Sequence, residues 1–166
     1  MSYCIKLNLW LWILLAILVY VYISYYYRYP TKISILQSRL NEFDFHLLQE
    51  KQPIVLEDAI KDIHQIKKAW FKWNYSKQYS GYLPEQWYRN SYKYLLIHPQ
   101  EDTEIFMYPP NKPLQNSIPD SNETVVIMKL KAHQLLIVPY HWYTMIETEK
   151  QINFIGIHDV LTYILP

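Results

Sequence analysis

Hydrophobic and polar positions divide the chain into three regimes. From Leu7 to Tyr27 (LNLWLWILLAILVYVYISYYY) no residue except tyrosine carries an ionisable side chain. That stretch rises about 31 Å as a helix, close to the ~30 Å hydrocarbon thickness of a bilayer. The eleven Leu, Ile and Val residues between Leu7 and Ile23 favour insertion by roughly 3 to 7 kcal/mol, which outweighs Asn8. Trp10 and Trp12 near one end, and Tyr20, Tyr22, Tyr25, Tyr26 and Tyr27 near the other, supply the aromatic belts of a membrane span. Residues 1–6 are then a short flank and 7–27 a single-pass transmembrane helix. Pro30 stops it, because a residue before proline is biased away from helix. No small residues follow the apolar run to form a signal-peptide cleavage site.

The second regime is amphipathic. Ile33, Leu36, Leu40, Phe43 and Leu47 recur at three- and four-residue steps, predicting a juxtamembrane helix of about four turns within residues 28–49. Its stripe suits packing against the domain that follows, or a short self-associating coil.

Residues 50–166 read as one mainly β domain with flanking helices (α+β). Lys51–Leu56 is a short apolar strand, and Glu57-Asp58 a helix start. Ile60, Ile63, Ile66, Trp70 and Trp73 mark the buried face of a helix. Asn74–Ser91 is polar, contains Gly81 and Pro84, and reads as an irregular connection. Strands are expected at 93–98, 104–108, 124–130, 134–138, 142–147 and 151–157, with a surface loop at 109–121. Residues 159–165 close the chain as a short helix or last strand. Short strands at this spacing predict a β-sandwich or barrel.

Composition narrows the function classes. Sixteen Lys+Arg against fifteen Asp+Glu argue against nucleic acid as a partner. Only Gly81 and Gly156 occur, which excludes phosphate-cradling glycine loops, and the lone Cys4 excludes an intrachain disulfide and cysteine-based zinc sites. Lys6 flanks the apolar run on one side and Arg28, Lys32 and Arg39 on the other, a bias that directs the domain to the cytoplasm. The sequons Asn74-Tyr-Ser76 and Asn122-Glu-Thr124 would be used only on the opposite side.

One stretch carries more specific information: Leu135-Leu-Ile-Val-Pro-Tyr-His-Trp-Tyr-Thr-Met-Ile-Glu147. It resembles the last hairpin of the cupin-like, double-stranded β-helix domain of JmjC-type iron- and 2-oxoglutarate-dependent oxygenases. Lys51, Pro53, Val55, Lys67, Lys68 and Trp70 are similar to the opening of that domain, and Tyr92–Pro110 to an inner hairpin. The resemblance covers roughly residues 50–157. It extends to the short, membrane-anchored cupin-like proteins of large DNA viruses, and implies a host endomembrane or virion membrane as the location.

The same resemblance implies iron held by a His-x-Asp/Glu motif and a final histidine. His46, His64, His98, His133, His141 and His158 all lack an acid two places on, and the final ligand position reads Thr144, a poor iron ligand. Lys93 falls where the family binds the distal carboxylate of 2-oxoglutarate and is a relic candidate, but without a metal to hold the other end of the acid the reading preferred is an ordinary solvated or snorkelling lysine. The expectation is therefore a non-catalytic module without metal or cofactor. It would contact the bilayer through 7–27 and a protein partner, or itself, through aromatics such as Tyr82, Trp87, Tyr88, His141, Trp142 and Tyr143. The competing class is an oxygenase with a displaced metal site built from His98, His133 or His141 and Glu147.

Overall fold

The computed structural model describes residues 2–81, 86–112, 119, 125–146 and 151–164. Helix α1 (Ser2–Tyr27) contains one stretch, Leu9–Tyr27, long and apolar enough to cross a membrane, and nearly all of it is unburied. The rest is mainly β, in two sheets. A six-stranded sheet runs in the order β1 (Leu36–Ser38), β2 (Ile54–Leu56), β8 (Leu135–Pro139), β5 (Tyr94–Pro99), β10 (Ile152–His158), β3 (Tyr75–Gly81). A four-stranded sheet runs β4 (Tyr88–Arg89), β9 (Tyr143–Ile146), β6 (Thr103–Tyr108), β7 (Val126–Leu130). All pairings are antiparallel except β1 with β2.

Alternation along the central strands separates two cores. Leu95, Ile97, Leu136, Val138, Ile152 and Phe154 face the four-stranded sheet and meet Ile105, Met107, Trp142 and Ile146. Leu96, Leu135, Ile137, Ile155 and Ile157 face the other way, onto Ile60, Ile63, Ile66 and Phe71. Helix α2 (Ile63–Trp70) therefore covers the outer face of the larger sheet, and β5 and β8 are buried on both faces, which explains their unbroken apolar runs.

Four expectations are corrected. The 33–47 stripe is not one helix: it breaks into β1 and two 3-10 turns, Leu40–Glu42 and Phe45–Glu50. The reason is burial on two faces. Ile33 and Ile35 pack on the inter-sheet core while Leu36, Phe43 and Leu47 pack on the outer one, and a single helical stripe cannot serve both. Glu57-Asp58 does not start α2; the Asp62 carboxylate caps it by accepting from His64 N–H (2.9 Å), whereas Asp58 accepts from Leu40 N–H. The helix ends at Trp70, so Phe71 takes the buried place expected of Trp73, which is 90% exposed. Residues 75–81 and 88–89 are strands rather than an irregular connection. Strand β3 pairs along its whole length with β10, but Tyr75 to Tyr79 are all exposed, so no apolar alternation marks it. Residues 159–165 resolve into helix α3 (Val160–Ile164).

Gly156 is required by packing. A Cβ there would lie 2.3 Å from the Tyr92 ring, which occupies the gap in β10.

Candidate functional site at the β8–β9 hairpin

The hairpin begins where Pro139 ends β8 and turns through Tyr140 and His141, the latter at φ 67°. Asn90, wholly buried, holds this turn. Its side-chain amide donates to the carbonyls of Val138 (3.0 Å) and Pro139 (2.8 Å), and its Oδ1 accepts from Tyr92 N–H (2.9 Å). Its backbone N–H donates to the Trp142 carbonyl, and its carbonyl accepts from His141 N–H. Sequence reasoning missed Asn90, since an asparagine in a polar connection carries no signal separating it from ordinary loop residues.

Trp142 and His141, expected on an interaction surface, are turned inward. Trp142 is 1% exposed and its Nε1–H donates to the Lys51 carbonyl (3.0 Å). Lys51, at φ 53°, reaches back with Nζ to the carbonyls of Tyr25 and Arg28 (2.9 Å for the latter), at the C-terminal end of α1. An ammonium there meets the free carbonyls and the negative pole of a helix. Burial, with Arg28 nearby, lowers the Lys51 pKa to about 8. His141 stacks on Tyr140 (3.6 Å) and shares a 2.5 Å hydrogen bond between its Nδ1 and the Tyr29 hydroxyl. Burial, then the Arg89 guanidinium, lowers the His141 pKa to about 4, so the ring is neutral near pH 7. Tyr26 is buried edge-on against Tyr140 (5.4 Å).

Thr144 lies in β9 on the inter-sheet face, in register with Tyr88 of β4 on one side and Met107 of β6 on the other. Its Oγ1 is buried with no hydrogen-bond partner. Trp87, Tyr88 and Tyr143 gather on this sheet. Trp87 and Tyr143 each lie 6.2 Å from the Tyr108 ring, Arg89 stands 5.7 Å from Tyr143, and the Tyr88 hydroxyl meets Ser91 Oγ at 3.5 Å. Tyr82, like Glu147 and the sequon at Asn122, lies outside the described residues.

The residues proposed for a displaced metal site are separated. His98 and His133 approach each other (ring centroids 5.7 Å), with His98 Nε2 bonded to the Ile60 carbonyl (2.7 Å). His141 sits at the opposite end of the β5–β8 ladder. Among the described residues, no three His, Cys, Asp or Glu side chains are placed to hold a metal ion. Where the resemblance puts the last iron ligand, β9 offers the buried hydroxyl of Thr144. That group does not fit iron.

Lys93 pairs with Asp159 (3.3 Å), and burial lowers its pKa. The same carboxylate accepts from the Tyr22 hydroxyl (3.1 Å) and, through Oδ1, from the backbone N–H and hydroxyl of Thr162. Lys93 thus belongs to the junction between α1 and the domain. No protein-family model, curated protein or solved structure matches the chain.

Proposed function

We propose that this chain is a membrane-anchored, cupin-like domain that has exchanged metal chemistry for a structural, protein-binding role, with α1 as a single-pass anchor. Support for the fold comes from strand order. Strands β3 to β10 alternate between the sheets except at the β6–β7 hairpin, giving β3-β10-β5-β8 facing β4-β9-β6-β7, the pairing of two interlocked Greek keys in an eight-stranded jelly roll. The observation that carries the functional reading is Thr144. In β9, where the resemblance puts the last iron ligand, a hydroxyl without a partner faces the inter-sheet core. A virion or endomembrane setting follows from the resemblance alone, and fold does not by itself fix function.

The half-buried Trp87 and Tyr143, both beside Tyr108 on the face of the smaller sheet away from Thr144, are the surface this reading assigns to a protein partner, since large aromatics dominate binding hot spots. Tyr88 packs on the inter-sheet core instead. The decisive test loads the purified full chain with ferrous iron and 2-oxoglutarate, then measures bound metal and turnover. The reading expects no stoichiometric iron and no consumption of 2-oxoglutarate. Iron at one per chain, or turnover that His141→Ala abolishes, would replace it with the oxygenase.

A further inference from the structure

We propose that the C-terminal corner of the domain, α3 together with the start of β3, is a second membrane contact lying in the headgroup layer of the bilayer that α1 crosses. The inference rests on α1 being a span, and concerns a surface that the span does not include.

The first observation is depth. Asp159, the residue before α3, accepts a hydrogen bond from Tyr22. Tyr22 precedes the end of α1 by five residues, about 7.5 Å along a helix axis. Headgroup layers are roughly 5–8 Å thick on each side of the hydrocarbon. An element bonded to α1 at that level cannot clear the headgroups while the Tyr22–Tyr27 end of the helix stays in its aromatic belt.

The second observation is what the corner exposes. Outside α1, nine large hydrophobic side chains are exposed among the described residues, and five are Trp73, Tyr75, Val160, Tyr163 and Ile164. They are carried by two segments that meet, the start of β3 and α3. Tyr75 stacks on Tyr163 (5.1 Å), and Asn74 Nδ2 donates to the His158 carbonyl (3.2 Å), joining the start of β3 to the end of β10. A Trp and two Tyr beside aliphatic residues suit the interface, where amphipathic rings settle. Lys72, 5.3 Å from the Trp73 ring, adds a cation suited to anionic headgroups.

The third observation is that the acid at this corner, Asp159, is compensated. Asp159 is ion-paired with Lys93 and accepts from Tyr22 and Thr162, so its approach to lipid leaves no bare carboxylate. A protein would need to cover the same corner without displacing the headgroups that α1 brings beside it. Continuity with the span therefore favours lipid as the occupant.

The test uses the full chain with Cys4→Ser, reconstituted in vesicles containing a third anionic lipid (~30%), a composition chosen for the negative cytoplasmic leaflet. Single cysteines at Ile164→Cys, Ile127→Cys and Trp12→Cys carry an environment-sensitive fluorophore, and nitroxide lipids quench at headgroup depth or at the bilayer centre. The expected result is a blue shift at Ile164→Cys with loss of emission to the shallow nitroxide, quenching at Trp12→Cys, and aqueous emission at Ile127→Cys on β7. Aqueous emission at Ile164→Cys with Trp12→Cys still quenched would overturn the second contact and leave the anchor standing. Aqueous emission at both would remove the anchor and, with it, the proposal. Equal shallow quenching at Ile164→Cys and Ile127→Cys would also overturn it, because no particular face would then be selected.

Discussion

Replacing Asn90 with alanine removes three buried hydrogen bonds: those it donates to the carbonyls of Val138 and Pro139 and the one it accepts from the N–H of Tyr92. Each lost bond costs about 0.5–1.5 kcal/mol net. With Asn90 fully buried, no water replaces the amide, so the three lost bonds sum to about 1.5–4.5 kcal/mol. For a domain of this size that corresponds to a fall in Tm of about 5–15 °C. Thermal unfolding of the full chain in nanodiscs, followed by near-UV circular dichroism of the buried Trp142, reads the change. Asn90→Asp separates hydrogen bonding from shape. Its acceptor still serves Tyr92, but a carboxylate would face two carbonyl oxygens and its pKa would rise in the folded state. A raised folded pKa means the acid variant is least destabilised below about pH 4 and loses stability as pH climbs through that raised value. A Tm within 2 °C of the parent for Asn90→Ala, or an Asn90→Asp variant indifferent to pH, would refute the assignment of Asn90 as the hairpin's support (the 2 °C margin being about 0.5 kcal/mol).

Three further outcomes follow from the same contacts. Gly156→Ala forces a methyl into the Tyr92 ring and is expected to cost about 1–3 kcal/mol, with Tyr92→Ala in the same chain recovering part of the loss in a double-mutant cycle read by Tm. The neutral His141, with its pKa lowered to about 4, makes the parent lose stability as pH falls from about 6.5 toward 4; in His141→Gln that slope is expected to flatten, and an unchanged slope would show that other groups carry it. Lys51→Met removes the ammonium from the end of α1, so hydrogen exchange at Arg28–Ile35 is expected to rise while the central strands keep their protection; unchanged exchange there would mean the Lys51 contact does not hold the junction.

How much of this was legible depends on where each segment buries its side chains. The β5 and β8 runs and the α1 stretch could be read because nearly every residue faces the same kind of environment. Strand β3 could not, since its pairing with β10 is made by backbone atoms and the side chains of Tyr75 to Tyr79 are exposed. The 33–47 stripe misled because helical spacing there arises from two different cores. Within the candidate site, Thr144 was visible by its place in the hairpin, whereas the inward turn of His141 and Trp142 was not. Their partners, Tyr29 and the Lys51 carbonyl, lie about a hundred residues away in sequence, with nothing local to announce them.

A simple tether would need none of the contacts that α1 makes. Its linker would be rich in Gly or Ser and its helix would end free in solvent. Here residues 28–35 contain Pro30 and no glycine. Gln52 fastens the segment at two points, accepting from Ser34 N–H (3.1 Å) and donating to the Lys32 carbonyl (2.6 Å). Tyr22, Tyr26 and the last carbonyls of α1 then meet Asp159, Tyr140 and Lys51, and Tyr29 meets His141, so the end of the helix is held from β2's approach, the β8–β9 turn and the start of α3. Three separate points of the fold fix a direction as well as a position, which makes α1 a strut. The hairpin contributing His141 and Trp142 to that strut is the one whose next inward residue is Thr144. A turn whose side chains are committed to gripping a helix has little freedom to adjust around a ligand. On the function proposed above, a fixed orientation of the anchor and a threonine in place of a metal ligand are two consequences of one local arrangement.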